Sequence, residues 1–403
     1  MARDPSSRLR RRLLPSSATP DSALLVQTRG LRALADGLVS TVLAVYLVSI
    51  GLSGGQVGAI VTATLLGSAA LTLLVGLRGH VVPRRRLLLA ASVLMFATGL
   101  VFAFSTTFVV LVIAAVLGTI NPSSGDVSVF LPTEQSLLPV TVTSIDRTSM
   151  FARFSVVAFV AGATGALGAN LVPGRGAFLV YSGVAVCVFL LYLRLSADIE
   201  PAADEPAGPL DPSRRLVIKL AAVFSLDSLG GGFVVQSLLA LWLYRRFELS
   251  VGATGTIFFA TGLLSGFSGL LAAPLARRIG LIRTMVFTHL PANILLIATA
   301  FMPSLPLAIA CLLARSLLSQ MDVPARSSYV MAVVTPPERA AAASVTNVPR
   351  SLAAALPPVL AGWSLDRTSF GWPLVIGGAL KVAYDLLLFF QFRHTRPPEE
   401  QTA

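Results

Sequence analysis

The feature that most constrains this chain is its run of apolar stretches about twenty residues long, separated by short polar breaks. A helix needs ~20 apolar residues to cross bilayer hydrocarbon, where only helices and closed barrels satisfy the backbone internally. Twelve spans are expected near 31–51, 56–76, 87–104, 107–138, 150–171, 177–193, 220–244, 251–274, 285–301, 304–330, 341–363 and 373–390. The fourth is interrupted by Asn121-Pro122-Ser123-Ser124-Gly125-Asp126. Such a break is tolerated at membrane depth only where it faces protein or a water-filled cavity. Hydrophobic residues make up 55% of the chain and charged residues 12%, about half the ~25% of an average soluble chain. That is too little charge to cover a soluble surface and too much apolar content for disorder. The reading is an all-α polytopic membrane protein.

The position of the charges decides what the net +12 means. They sit in the breaks between apolar stretches, with no aromatic interleaving or recognition module, so nucleic acid is not an expected partner. With both termini cytoplasmic, inside segments hold 21 of the 31 basic residues and outside loops hold only Arg175, Arg245, Arg246 and Arg367. This asymmetry predicts the orientation and a plasma (inner) membrane location. The basic start lacks an apolar h-region between its arginines and is not a secretory signal. Cys187 and Cys311 lie in apolar runs, and His80, His289 and His394 are scattered. Neither a disulfide framework nor a metal site is expected.

The chain divides into a basic tail (1–30), a six-helix bundle (31–193), a Pro-rich cytoplasmic linker (194–219), a second six-helix bundle (220–392) and a short tail (393–403). The halves repeat each other. Pro132 precedes Asp146-Arg147 at the same distances as Pro324 precedes Glu338-Arg339, an offset of 192. Asp36 and Asp227 stand 191 apart on the first helix of each half, and LSGGQVG at 52–58 answers LSVGATG at 249–255. Parallel repeats about an axis along the membrane normal are an architecture of secondary transporters, with the substrate site near the midplane. Two pseudo-symmetric bundles are therefore expected, with Asp36 over Asp227 and Pro132 over Pro324.

These features resemble the major facilitator superfamily across residues 25–392. APLARRIGLIR at 273–283 matches the family loop signature through Arg277, Arg278, Gly280 and Arg283, while GLRGHVVPRRR at 76–86 keeps Gly76 and the arginines but lacks the aspartate. Helix 5 carries Gly162, Gly165 and Gly168 without the proline of the family's drug antiporters, and helix 11 carries Pro357-Pro358 and Gly362. The partial match leans toward export. The resemblance implies alternating access and a cavity lined by the first helix of each three-helix group.

An ionisable side chain at membrane depth is costly and marks a functional candidate. On span 10, Arg315, Ser319, Asp322, Arg326 and Tyr329 recur at steps of 4, 3, 4 and 3, one face of a continuous helix. Asp322 and Arg326 are placed to pair, as are Arg32 with Asp36 and Lys381 with Asp385. Glu134 and Arg153 fall at similar depth on neighbouring helices. Under the 192 offset Glu134 maps onto Arg326, a charge swap suited to a contact between the halves. Glu134, Arg153, Asp322 and Arg326 are accordingly the expected cytoplasmic gate, within ion-pairing reach of one another in an outward-facing state. Asp36, Asp126, Asp227, Arg315, Asn347, Arg350 and Gln236 are the candidates for substrate or proton binding. Asp126 and Asp227 are favoured for the proton because Arg32 would hold Asp36 ionised, and Arg350 is the basic counterpart to Asp126. Tyr46 and Trp242 are further cavity candidates.

No phosphate-binding G-x-x-x-x-G-K-[ST] loop is present, so ATP is not an expected partner, and no H-E-x-x-H or serine elbow suggests an enzyme. No cofactor is expected beyond a proton gradient. The expected function is a monomeric secondary transporter in the lipid bilayer, exporting a small molecule in exchange for protons. An uptake symporter or uniporter for a small metabolite, and a lipid-handling or receptor protein of the same fold, are the alternatives.

Overall fold

The computed structural model describes residues 14–393, apart from 16, 79–81, 124–127, 144–145, 173, 197–198, 201–211 and 336–337. Its first half contains α1 (Pro20–Ser49), α2 (Gly54–Arg78), α3 (Arg84–Phe104), α4 (Phe108–Leu117), α5 (Phe130–Leu137), α6 (Arg147–Leu167) and α7 (Arg175–Tyr192). The second contains α8 (Arg214–Phe233), α9 (Gln236–Phe247), α10 (Val251–Ile279), α11 (Leu281–Phe301), α12 (Leu305–Ser316), α13 (Asp322–Ala332), α14 (Arg339–Ala355), α15 (Pro357–Arg367) and α16 (Trp372–Phe392). No strand occurs among the described residues. Among the described residues, nine helical segments are long and apolar enough to span a membrane. The interruption expected within 107–138 separates α4 from α5, and the spans expected at 220–244, 304–330 and 341–363 are broken too, as α8/α9, α12/α13 and α14/α15.

The breaks have local causes. After Leu117 the chain turns extended at Gly118, and Asn121 Oδ1 accepts the Ser123 amide at 3.1 Å, an Asx turn that competes with helix. Pro357 and Pro358 open α15, because proline lacks the amide that would continue α14. The segment Leu317–Met321 separates α12 from α13. The polar stripe of span 10 is therefore not on one continuous helix: Arg315 belongs to α12, and Asp322, Arg326 and Tyr329 belong to α13. At the other end of the chain, α1 begins at Pro20, so Arg29 lies inside the first helix with Arg32 rather than before it, and both are buried.

Lipid explains the surface. Phe104, Val109, Ile113, Leu117, Leu190, Leu270, Ile294, Phe301, Leu360 and Phe390 are all exposed. So much outward apolar area suits a bilayer and not water.

The repeat is visible in its capping contacts. Ahead of α1, Ser17 Oγ donates to Asp146 Oδ2 at 2.6 Å; ahead of α8, Ser213 Oγ donates to Glu338 Oε2 at 2.7 Å. The two acids of the repeated motif thus tie the start of each half's first helix in the same way. Both contacts lie at the end of the molecule that carries the termini, and each stays within its own half.

Contacts between the halves gather toward the opposite end, where residues 50–53 join α1 to α2. Gly54 and Gly58 of α2 lie against Gly362 and Pro358 of α15, and a Cβ built on Gly58 would stand 2.1 Å from the Pro358 carbonyl oxygen. Only glycine allows that approach. Gly58→Leu is expected to pry α2 from α15 and to raise, at least several-fold, the labelling of a cysteine placed at buried Ser40. Unchanged labelling would show that this packing does not hold the end shut.

Candidate functional site

In the first half the buried charges converge on Glu134, which is fully buried on α5. Its carboxylate is ion-paired with Arg32 Nη2 of α1. Tyr192 Oη of α7 donates to Oε1 at 2.6 Å, and Thr28 Oγ1 lies 3.0 Å from the same oxygen. The Arg32 guanidinium stacks 4.3 Å from the centroid of the Phe130 ring, which in turn stacks on Tyr192. The expected Glu134–Arg153 pair does not form, because Arg32 reaches Glu134 first from inside α1. Arg153 is half-buried on α6, and its Nη1 is buried without a hydrogen bond. Asp36 is buried on α1, one turn from an arginine that points to Glu134. Asp126 lies outside the described residues.

In the second half the centre is Asp227 on α8. Lys381 Nζ of α16 donates to Oδ1 at 2.6 Å, Arg326 Nη1 of α13 donates to Oδ2 at 2.8 Å, and His289 Nε2 of α11 stands 3.7 Å from Oδ1. Lys381 therefore pairs with Asp227 rather than with Asp385 one turn along α16. Asp385 is taken by α11 instead: His289 Nδ1 lies 2.9 Å from Oδ1, and Asn293 Nδ2 donates to Oδ2 at 2.9 Å. Arg326 Nη2 also lies 3.5 Å from Asp322, as their i,i+4 spacing led one to expect. Asp227 thus has Arg326 and Lys381 as close to it as Arg32 was expected to be to Asp36, which removes the reason for preferring it over Asp36 as a proton carrier.

The charge swap between Glu134 and Arg326 thus has a different use from the one expected. Each residue closes a pair within its own half, acid on helix 4 with base on helix 1, and base on helix 10 with acid on helix 7. The four expected gate residues do not form one cluster in this structure, and the cluster expected of them belongs to an outward-facing state.

The remaining candidates lie nearer the interface. Arg350 Nε donates to Ser228 Oγ at 3.2 Å, and its Nη1 donates to Asn347 Oδ1 at 3.1 Å. Arg315 is half-buried, and its Nε is buried without a hydrogen bond. Gln236 Nε2 crosses the interface to Ser40 Oγ at 3.0 Å and Thr41 Oγ1 at 3.4 Å. Beside it the Ser237 amide donates to the Pro122 carbonyl at 3.0 Å, so the break in helix 7 meets the break in helix 4. Tyr46 and Trp242 are buried packing residues. Tyr46 bonds the Phe102 carbonyl and packs on Phe178, and Trp242 packs on Phe247. His289, Asn293, Tyr192 and Thr28 had no place among the sequence candidates. His289 and Asn293 could have been found as polar residues four apart on an otherwise apolar helix.

A second cross-half contact closes the end at residues 50–53. Asp366, beyond the 341–363 span, accepts the amides of Gly54 and Gly55 at 2.7 and 2.8 Å and Arg245 Nη2 at 2.9 Å. A carboxylate at the start of α2 is also favoured by the helix dipole. Burial alone would raise the Asp366 carboxyl, but the Gly55 and Gly54 amides and the Arg245 guanidinium outweigh it and hold it below the ordinary carboxylate range.

The model of the Major Facilitator Superfamily matches residues 28–226 and 220–403. The chain belongs to that superfamily. It is 26% identical to an uncharacterised membrane protein of Saccharomyces cerevisiae, YJR124C, over 93% of this chain and 94% of the yeast protein. It is also 26% identical to the multidrug efflux protein YfmO of Bacillus subtilis, over 53% of this chain and 54% of that protein. Among solved structures it superposes on the nucleoside transporter NupG with a TM-score of 0.72, at 13% identity, covering 93% of this chain and 100% of that one. A D-xylose–proton symporter superposes with a TM-score of 0.73, at 14% identity, covering 92% and 97%. These likenesses establish the two-bundle transporter fold. As a superfamily member the chain is a multi-pass membrane transporter and not an enzyme.

Proposed function

We propose that this superfamily member is a secondary active transporter that carries a small solute between its halves by alternating access, exporting it in exchange for protons. One observation carries the reading: every hydrogen bond between described residues of the two halves lies toward the end at residues 50–53. A molecule whose described residues latch the halves toward one end is suited to opening at the other. The arginine clusters of the N-terminal tail and of the loops after the second and eighth spans support an open end on the cytoplasmic side of the plasma membrane, where a solute bound for export would enter. The partial likeness to a multidrug efflux protein supports the outward direction, and the buried carboxylates support proton exchange.

The Asp366 contact is the latch that must release in each cycle. Asp366→Ala is expected to shift the protein toward the state open at residues 50–53, raising the labelling of Ser40→Cys from that side and lowering that of exposed Asn347→Cys. Equal labelling of both sites in variant and parent would count against the latch. The pH dependence has a definite sign. The folded-state carboxyl lies below its ordinary value, so the latch is at full strength at neutral pH and is lost as pH falls through that depressed value, below about 4. Proteoliposome counterflow with a panel of solutes tests the transport reading itself. A protein that inserts, folds and exchanges none of them would overturn it.

A further inference from the structure

The second half holds more buried positive charge than its carboxylates neutralise. Arg315, Arg326, Arg350 and Lys381 face three acids, Asp227, Asp322 and Asp385. Among the described residues, the acids' direct ion pairs with these four go to Arg326 and Lys381, while His289, a further potential cation, and Asn293 hold Asp385. Among the described residues, Arg350 hydrogen-bonds to neutral groups, Ser228 and Asn347, and has Asp227 and Asp322 within electrostatic reach but in no direct ion pair. Arg315 lies within electrostatic reach of Asp227 and Asp322, but its side chain makes no hydrogen bond to a described residue.

Both guanidinium groups stand midway along their spans, where an uncompensated charge costs a few kcal/mol. Arg350 also borders an opening. Ser344, Asn347 and Ser351 share its helix at steps of three and four, and all three are exposed. Polar side chains exposed at that depth face water between the halves rather than lipid. A planar fork of N–H donors with neutral neighbours is the chemistry that receives an oxyanion in bidentate fashion.

We infer that the solute bound between the halves is an anion presenting a carboxylate or phosphate group, received by Arg350 with Arg315 supplying the second positive charge. This deepens the transport reading and rests on it for the site's role, but its test needs no turnover.

Thermal unfolding of the purified full-length protein in detergent, at fixed ionic strength, is measured with succinate, benzoate, glycerol 3-phosphate, uncharged glucose and tetraethylammonium. At least one anion is expected to raise the unfolding temperature in a saturable way, while glucose and tetraethylammonium do not. The succinate and benzoate arms against the glycerol 3-phosphate arm separate carboxylate from phosphate recognition. Arg350→Gln and Arg315→Gln should each weaken the apparent affinity about tenfold or more, as expected for losing a charge-assisted hydrogen bond. Arg350→Lys, which keeps the charge but not the fork, should fall between. Lys219→Gln, at an exposed residue outside the site, should match the parent. If Arg350→Gln does not fold, Arg350→Lys and Arg315→Gln still decide the matter. The inference is overturned if no anion outperforms glucose, if tetraethylammonium stabilises instead, or if the arginine variants respond like the parent. Anion binding without counterflow would leave this inference standing and remove the transport reading; neutral-solute counterflow without anion binding would do the reverse.

Discussion

Asp227→Asn is expected to lower the stability of the second half by about 3–5 kcal/mol, the usual cost of removing one member of a buried ion pair. The size follows from what remains. Lys381 Nζ and Arg326 Nη1 sit 2.6 and 2.8 Å from its two oxygens, and an asparagine offers them no charge. The partners come from α13 and α16, so the loss loosens three helices at once. The check is thermal unfolding in detergent alongside transport in proteoliposomes. Asp227→Asn with Lys381→Met should recover part of the loss, because one of the stranded cations is gone. A single variant as stable as the parent would show that the Asp227 cluster is not a structural anchor.

The second large effect is expected at Glu134. Arg32 and Glu134 are 1% and 0% exposed, so neither can turn to water when its partner is lost. Glu134→Gln should cost about 3–5 kcal/mol, and Tyr192 and Thr28 lose their charged acceptor as well. Arg32→Gln alone should be comparably damaging, while Glu134→Gln with Arg32→Gln should be more stable than either single variant. Additive losses in that cycle would mean that the two residues act independently. The double variant also separates structure from mechanism: if it folds well yet fails to transport, the pair serves the conformational cycle and not only the fold.

The two clusters divide the labour of the buried charges. Glu134 with Arg32 and Asp227 with Arg326 and Lys381 pin helices within each half, and so make each half a body that moves as a unit. Among the described residues, the hydrogen bonds that link the halves are lighter and lie toward one end: an amide to two hydroxyls at Gln236, a backbone bond at Ser237, Asn170 to Thr256 and the Asp366 contact. Strong contacts inside bodies and lighter ones between them are what a rocking motion requires.

Span number, fold class and the internal repeat could be read from the chain because they depend on local quantities. A membrane helix is specified by its own twenty residues, and the repeat by residues at fixed separations, such as Asp146-Arg147 and Glu338-Arg339. Even the break at Asn121-Pro122 announced itself. The partners of the buried charges did not. Spacing along one helix suggested Arg32 with Asp36, Lys381 with Asp385 and a five-residue stripe on helix 10. In the fold Arg32 turns to α5, Lys381 to α8, and the stripe is cut at Leu317–Met321. A long side chain inside a bundle can reach a neighbouring helix as easily as the next turn of its own, and the choice depends on which helices pack together and in what register. That choice is made by close approaches such as Gly58 on Pro358, which no local pattern encodes. The sequence alone therefore determined the membrane class, the twelve spans, the two-fold repeat and the list of costly charges. Only the tertiary structure decided which charges neutralise one another, which end is latched, and which arginines are left facing the opening without a carboxylate.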